Sequence, residues 1–192
     1  DAGVDPARIV EAEALRLSHL SHGSLTALPN RPADSTLRIL VLTDNDQLST
    51  IQLLGLLESA TSGLTRSIVT TFRPHPNNPV DPSEFPCLEL KLTCVPMVEA
   101  LQAADLVLGG NVTSATTESF VLGRRTVVVL DQGGLNFSPL RSMAGVDFVA
   151  NDVELRTILE TCEVAGLTRQ CATPFFHLDE QLPRWRQLLG IE

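Results

Sequence analysis

Apolar and polar positions fall along this chain in blocks long enough to name its elements. Leu37–Leu42 (Leu-Arg-Ile-Leu-Val-Leu) is a nearly continuous apolar run, the pattern of a strand covered on both faces. The turn Thr43-Asp44-Asn45-Asp46 follows with good N-cap residues. Leu48, Ile51, Leu53, Leu54 and Leu57 then recur at helical spacing up to about Gly63. Residues 67–72 predict a second strand and 88–92 a third, separated by a loop carrying Pro74, Pro76, Pro79, Pro82 and Pro86. Pro96 stands where a helix over 98–104 should start. Residues 105–109 read as a fourth strand, 113–122 as a helix, 125–130 as a fifth strand and 148–150 as a short sixth. A helix capped by Asn151 or Asp152 runs on through Leu159.

The two ends read differently. Ile9, Val10, Ala14, Leu17 and Leu20 predict an opening helix over 7–20, with Asp5-Pro6 as cap and first-turn proline. Residues 21–36 are rich in Ser, Pro, Asn and Asp and read as a linker. A last helix over 178–189 has Trp185 as its largest apolar anchor. The expected division is therefore 1–36 as N-terminal helix and linker, and 37–192 as one domain ending in that helix. Alternating strands and helices make the domain an α/β fold with a doubly wound, mostly parallel, Rossmann-like sheet.

In such a sheet, ligands bind beyond the carboxyl ends of the strands, so the loops there carry the candidate chemistry. After the second strand come Arg73-Pro74-His75-Pro76, in which the prolines stiffen the chain and fix where Arg73 and His75 point. After the fourth come Gly109-Gly110-Asn111-Val112-Thr113-Ser114 at a helix start. Glycines there let a phosphate reach the backbone, and unsatisfied N–H groups with Thr and Ser hydroxyls make an anion site. Equally, Thr113 or Ser114 serves only as a cap, and His75 only as a solvated loop residue. Glu118 on the same helix either accepts from a ribose or faces solvent. The loop 132–138 reaches the same edge: Gly133 and Gly134 permit close approach, and Asn136 and Ser138 either read a base or sugar or make a turn. Asp44 belongs to this edge too, as helix cap or as part of that pocket.

Composition narrows the partners. The 192 residues are 43% hydrophobic and 19% charged, enough to bury a core, and no run approaches the ~18–20 apolar residues that cross a bilayer. A net charge of −9 with scattered basic residues argues against nucleic acid, though local groups can still bind an anion. The four cysteines (Cys87, Cys94, Cys162, Cys171) form no C-x-x-C pair and predict idle thiols in a reducing compartment; a Cys87–Cys94 bridge has only nearness for it. Neither a metal nor a cofactor is expected. There is no G-x-x-x-x-G-K-[ST], no G-x-G-x-x-G after the first strand and no G-x-S-x-G, and no general base stands opposite the phosphate loops. Asp1 in place of Met, before a helical pattern with no start, gives the expectation of a piece of a longer protein.

Arg-Pro-His-Pro followed by the run from Ala104 to Asp131 resembles the C-terminal half of GT-B glycosyltransferases. More narrowly it is similar to bacterial surface-carbohydrate biosynthesis proteins related to the sialyl- and Kdo-transferases. Residues 134–141 and 175–185 look like signatures of that group, and the resemblance runs from about Leu37 to the end. It implies that His75 with Pro76, and Thr113 with Ser114, hold the phosphate of a CMP-activated sugar. The second motif is Thr-Ser here rather than Ser-Ser, which keeps a hydroxyl at each position. The implied partners are the nucleotide-sugar donor and an N-terminal domain carrying the acceptor site and general base. The implied setting is the cytoplasm, with the full-length protein peripheral to the inner membrane and none of it inserted. Two other readings stand beside this one: a non-catalytic α/β module in a polysaccharide assembly complex, and half of a UDP-sugar epimerase.

Overall fold

The computed structural model describes residues 3–21, 36–131, 135–141, 143–162 and 176–191. The chain forms two compact units, one of residues 25–170 and one joining residues 1–24 to 171–192.

The larger unit is built on six parallel strands in the order β3-β2-β1-β4-β5-β6. The strands are β1 (Leu37–Leu42), β2 (Ile68–Arg73), β3 (Lys91–Leu92), β4 (Leu106–Gly110), β5 (Arg125–Val129) and β6 (Val146–Val149). From β1 the chain passes through α1 (Gln47–Thr61) outward to β2 and β3. It returns through α2 (Met97–Ala103) to lay β4 against the other side of β1, then continues through α3 (Ala115–Val121) to β5. Helix α4 (Asp152–Thr161) follows β6. The connections leaving β1 and β4 therefore run opposite ways, and the topological switch point lies between these two strands. The doubly wound parallel sheet read from the sequence is the fold the chain adopts.

Burial explains the apolar runs. Leu37, Ile39, Val41, Leu106, Leu108, Val127 and Val129 form one core with Leu53, Leu54 and Leu57 of α1 and Leu155 and Leu159 of α4. The alternate positions Leu40, Leu42, Val107 and Val128 are equally buried, as a strand covered on both faces requires. Helix α3 packs on β4 and β5.

Several elements differ from expectation. The third strand keeps only two exposed residues, because Pro86–Leu88 forms a 3₁₀ turn that sinks Leu88 into the core before Glu89 takes a positive φ of 43°. Cys87 and Cys94 are separate, exposed thiols, so no bridge joins them. The sixth strand begins earlier, at Val146.

The terminal unit has no opening helix. Among the described residues 3–21, Pro6–Arg8 and Leu15–Leu20 turn as 3₁₀ helices, and Ile9 and Val10 are exposed. The stretch between is given to a distant helix start instead. Helix α5 (Pro183–Leu189) begins later than the sequence predicts, and the Glu13 carboxylate accepts from its Arg184 and Trp185 amides at 3.0 and 3.1 Å. The Glu13 carbonyl takes the Trp185 indole N–H at 2.8 Å. Burial alone would raise the Glu13 pKa, but these amides outweigh it and hold the carboxyl below its ordinary value.

At its amino end, the switch point is locked by one residue. The Asp105 carboxylate accepts from the Arg38 backbone N–H at 2.8 Å and from its guanidinium at 3.0 and 3.2 Å, while the Asp105 amide donates to the Arg38 carbonyl. Asp105→Ala leaves those donors without their acceptor and is expected to cost about 1–3 kcal/mol. Urea unfolding of the chain measures it, and a loss inside experimental error would show that this lock contributes nothing.

Candidate functional site

The carboxyl ends of β1, β2 and β4 meet at the open side of the switch point, and short polar links bind their loops together. From the β2 loop, the His75 backbone N–H donates to Thr43 Oγ1 at 3.0 Å. The Asn78 amide reaches back to Thr50 Oγ1 at 3.1 Å and to the Asp44 carbonyl at 3.4 Å. The β2 loop is thus sewn to the β1 turn, with Asn78 and Thr50 both buried. Neither residue was singled out from the sequence; a threonine on the apolar face of a leucine-rich helix was the available signal.

Within the β1 turn the two aspartates divide the work. Asp46 caps α1, accepting from the Ser49 amide at 2.7 Å. Asp44, the other candidate cap, does not cap it: Oδ1 accepts from the Asp46 amide at 3.1 Å, and Oδ2 is buried with no hydrogen-bond partner. The residue is only 4% exposed. Burial pushes its carboxyl above the usual aspartate range, and the charges of Asp46 and Asp131 push the same way. The Asp46 amide and His75 oppose them.

Beneath Asp44 lies Gly110. A Cβ on Gly110 would stand 2.5 Å from Asp44 Oδ2, and one on Gly109 would stand 2.3 Å from Thr116 Cγ2. Both distances are closer than real Cβ contacts, so the glycines are needed here for close packing of the protein on itself.

Asn111 is buried and holds the loop before β6. Its Oδ1 accepts from the Phe137 and Ser138 amides, both at 3.2 Å, and its Nδ2 donates to the Leu135 carbonyl at 2.8 Å. The expected base or sugar readers in that loop are also turned inward. Asn136 Oδ1 accepts from the Ser138 amide at 2.9 Å, and Ser138 Oγ from the Leu140 amide at 3.2 Å. Gly133 and Gly134 lie outside the described residues. Exposed at this rim are Val112, Leu135 and Phe137, all flanking Asn111.

The helix start also differs from expectation. Helix α3 begins at Ala115 and has seven residues. The Thr113 hydroxyl accepts from the Ala115 amide at 3.3 Å, and the Thr116 hydroxyl donates to the Thr113 carbonyl at 2.8 Å. Thr113, Thr116 and Thr117 are all buried, so of the hydroxyl residues at this turn Ser114 is the one left half-buried. Glu118 is half-buried on the same helix.

His75 is half-buried, and its Nδ1 accepts from the Asn77 amide at 3.2 Å. That bond places the neutral ring's proton on Nε2 and leaves Nε2 as a donor. Arg73 is drawn aside: its guanidinium donates to the Val95 carbonyl, in the loop before α2. Of the sequence candidates, Asp44, His75 and Gly110 are brought together, and Arg73 is turned to a separate bond.

A concavity lies on the α1 side of the same edge. It encloses about 340 Å³ and is lined by Gln52, Gly55, Leu56 and Ser59 of α1, Val129 and Leu130, and residues 150–152. That volume is at the small end of ligand pockets. Among the described residues, no three His, Cys, Asp or Glu side chains are placed to hold a metal ion. No helix among them is long and apolar enough to cross a membrane.

No protein-family model and no curated protein matches the sequence. Among solved structures the chain is similar to MurG of Acinetobacter baumannii, at 16% identity and a TM-score of 0.56 over 85% of this chain. The chain spans 54% of that protein, about half its length. It also matches the glycotransferase of kitacinnamycin at 14% identity, over 76% of this chain and 37% of that one, but the TM-score of 0.47 carries no argument. The likeness to MurG is one of fold alone, a Rossmann-like α/β domain.

Two substitutions separate packing glycines from spare ones. Gly109→Ala forces a methyl into Thr116 and is expected to destabilise by about 1–3 kcal/mol. Gly55→Ala, in α1 with nothing within 4 Å of its Cβ position, is expected to stabilise by up to about 1 kcal/mol. Thermal unfolding of both reads the contrast, and equal effects would refute it. Asn111→Ala frees the Phe137 amide and the Leu135 carbonyl but leaves the Ser138 amide to Asn136, and faster hydrogen exchange at Phe137 than at Ser138 is the expected result.

Proposed function

We propose that the sheet unit is the donor-binding half of a GT-B glycosyltransferase, taking a nucleotide-activated sugar at the β1/β4 switch point. The observation that carries this reading is the meeting of His75, Asp44 and Gly110 at one crevice, in a fold similar to that of MurG. His75 Nε2 donates to a phosphate oxygen, and the Ser114 side of the α3 turn gives further polar contact. As the sugar departs, a fixed donor of this kind stabilises the charge left on the phosphate. The acceptor site and the general base belong to another domain in this reading.

The finer reading takes a CMP-sugar as donor and surface polysaccharide biosynthesis as the setting. Its support is the Arg-Pro-His-Pro and Thr-Ser resemblance. Likeness in fold to MurG favours no base. The donor needs no metal here, since hydrogen-bond donors do the neutralising. Exposed Val112, Leu135 and Phe137 favour a second reading, a module that docks protein partners through this rim.

Titrating the ¹⁵N-labelled chain with CMP and with UDP separates them. Donor binding predicts shifts centred on His75, Asn78 and Ser114 at millimolar ligand, with the preferred base the tighter of the two. His75→Ala is expected to weaken binding by about ten- to a hundredfold, the value of one hydrogen bond to a charged group. Indifference to both nucleotides would leave the docking module. Shifts centred on Gly55 and Asn151 instead would move the site to the α1 groove.

A further inference from the structure

Asp44 does something the proposed donor site does not require of it. It is an acid almost wholly removed from water, one oxygen of which has no hydrogen-bond partner. A packing role would have satisfied both oxygens, as Asp105 does at the other end of the same strand pair. A Cβ on Gly110 would stand 2.5 Å from the orphan oxygen, so the β4 backbone is close to it, yet no hydrogen-bond donor reaches it.

The charged groups facing Asp44 come from every neighbouring loop. Asp46 lies at the α1 cap, Asp131 follows β5 and His75 follows β2; β4 contributes Gly110, which does not titrate. Two carboxylates against one imidazole leave the crevice acidic. A phosphate entering it adds further negative charge beside a buried carboxylate that has no cation of its own.

We infer that Asp44 is a proton-carrying residue of this crevice, and that an anionic ligand binds there together with a proton on its buried oxygen. The neutral acid still accepts the Asp46 amide through Oδ1, so protonation leaves the β1 turn in place. By linkage, a ligand that favours the protonated acid raises its proton affinity, and the proton raises the affinity for the ligand by the same factor. Binding therefore weakens as pH rises through the interval between the free and the bound ionisation of Asp44. Within that interval the limit is tenfold per pH unit.

For its ligand this inference rests on the donor-site reading; for its proton it does not. The first measurement is the ¹³C carboxyl shift of Asp44 in the unliganded chain as a function of pH. A midpoint above the ordinary aspartate value of about 3.9 is expected, and one at or below it overturns the inference. The second is the dissociation constant of CMP and of UDP against pH for the wild type and for Asp44→Asn. Asparagine keeps the shape and the Oδ1 acceptor but cannot ionise. The ratio of wild-type to variant constants is expected to climb with pH toward the tenfold-per-unit limit. Titration of the nucleotide phosphate itself is common to both proteins and divides out of that ratio. A flat ratio with measurable binding sinks the proton coupling and leaves the donor site standing. No binding by either protein at any pH defeats the donor site and the coupling with it, whatever Asp44 does alone.

Discussion

Everything at the carboxyl edge depends on how closely three neighbours approach the end of β4, and consecutive residues set each approach. Gly109 admits Thr116 of α3, Gly110 admits the Asp44 carboxylate of the β1 turn, and Asn111 holds the loop at 135–138 with three hydrogen bonds. A side chain at either glycine would push its neighbour outward and open the crevice. At the other end of the same strands the bonds between Arg38 and Asp105 fix where β4 starts relative to β1. Parallel pairing from Ile39 with Leu106 to Leu42 with Gly109 transmits that register to the site. Packing and register therefore set the crevice on its β1 and β4 sides, and the β2 loop is tied to it by Thr43 and Asn78.

The strands were legible because their burial is two-sided. A run such as Leu37–Leu42 has only one stable place in an α/β domain. The glycine pair was legible as a place of close approach, but not what approaches. A sequence shows that Asn111, Thr113 and Ser138 are polar and near the sheet edge; it does not show whether their partners are a ligand or the chain itself. Buried polar groups must be satisfied somewhere, and here the chain satisfies most of them internally. The opening helix failed for a different reason. Ile9, Val10 and Leu17 have helical spacing, yet the bond that decides their backbone joins Glu13 to Trp185, 172 positions away. No local window contains it. Glu13 itself is an acid at an apolar position of that pattern, the one local sign that the helix was wrong.

Charge raises the remaining question, since a chain of net −9 is here assigned an anionic ligand. The distant field matters little, because exposed charges are screened beyond about 10 Å. Local groups decide, and they are sparse in cations. Arg73 spends its guanidinium on the Val95 carbonyl, and His75 offers one N–H. Opposite them stand Asp44, Asp46 and Asp131. A site so composed cannot hold a phosphate by Coulomb attraction alone. It can do so with fixed hydrogen-bond donors and by losing the one negative charge that is already costly to keep. Neutralising Asp44 removes an unfavourable term from the empty protein and a larger one from the occupied one, so the same proton serves folding and binding. Modest affinity in the isolated unit follows from this balance. Under the proposed donor-site reading, a second domain bringing cations to this edge would add to that affinity, and its closure and donor binding would then depend on each other.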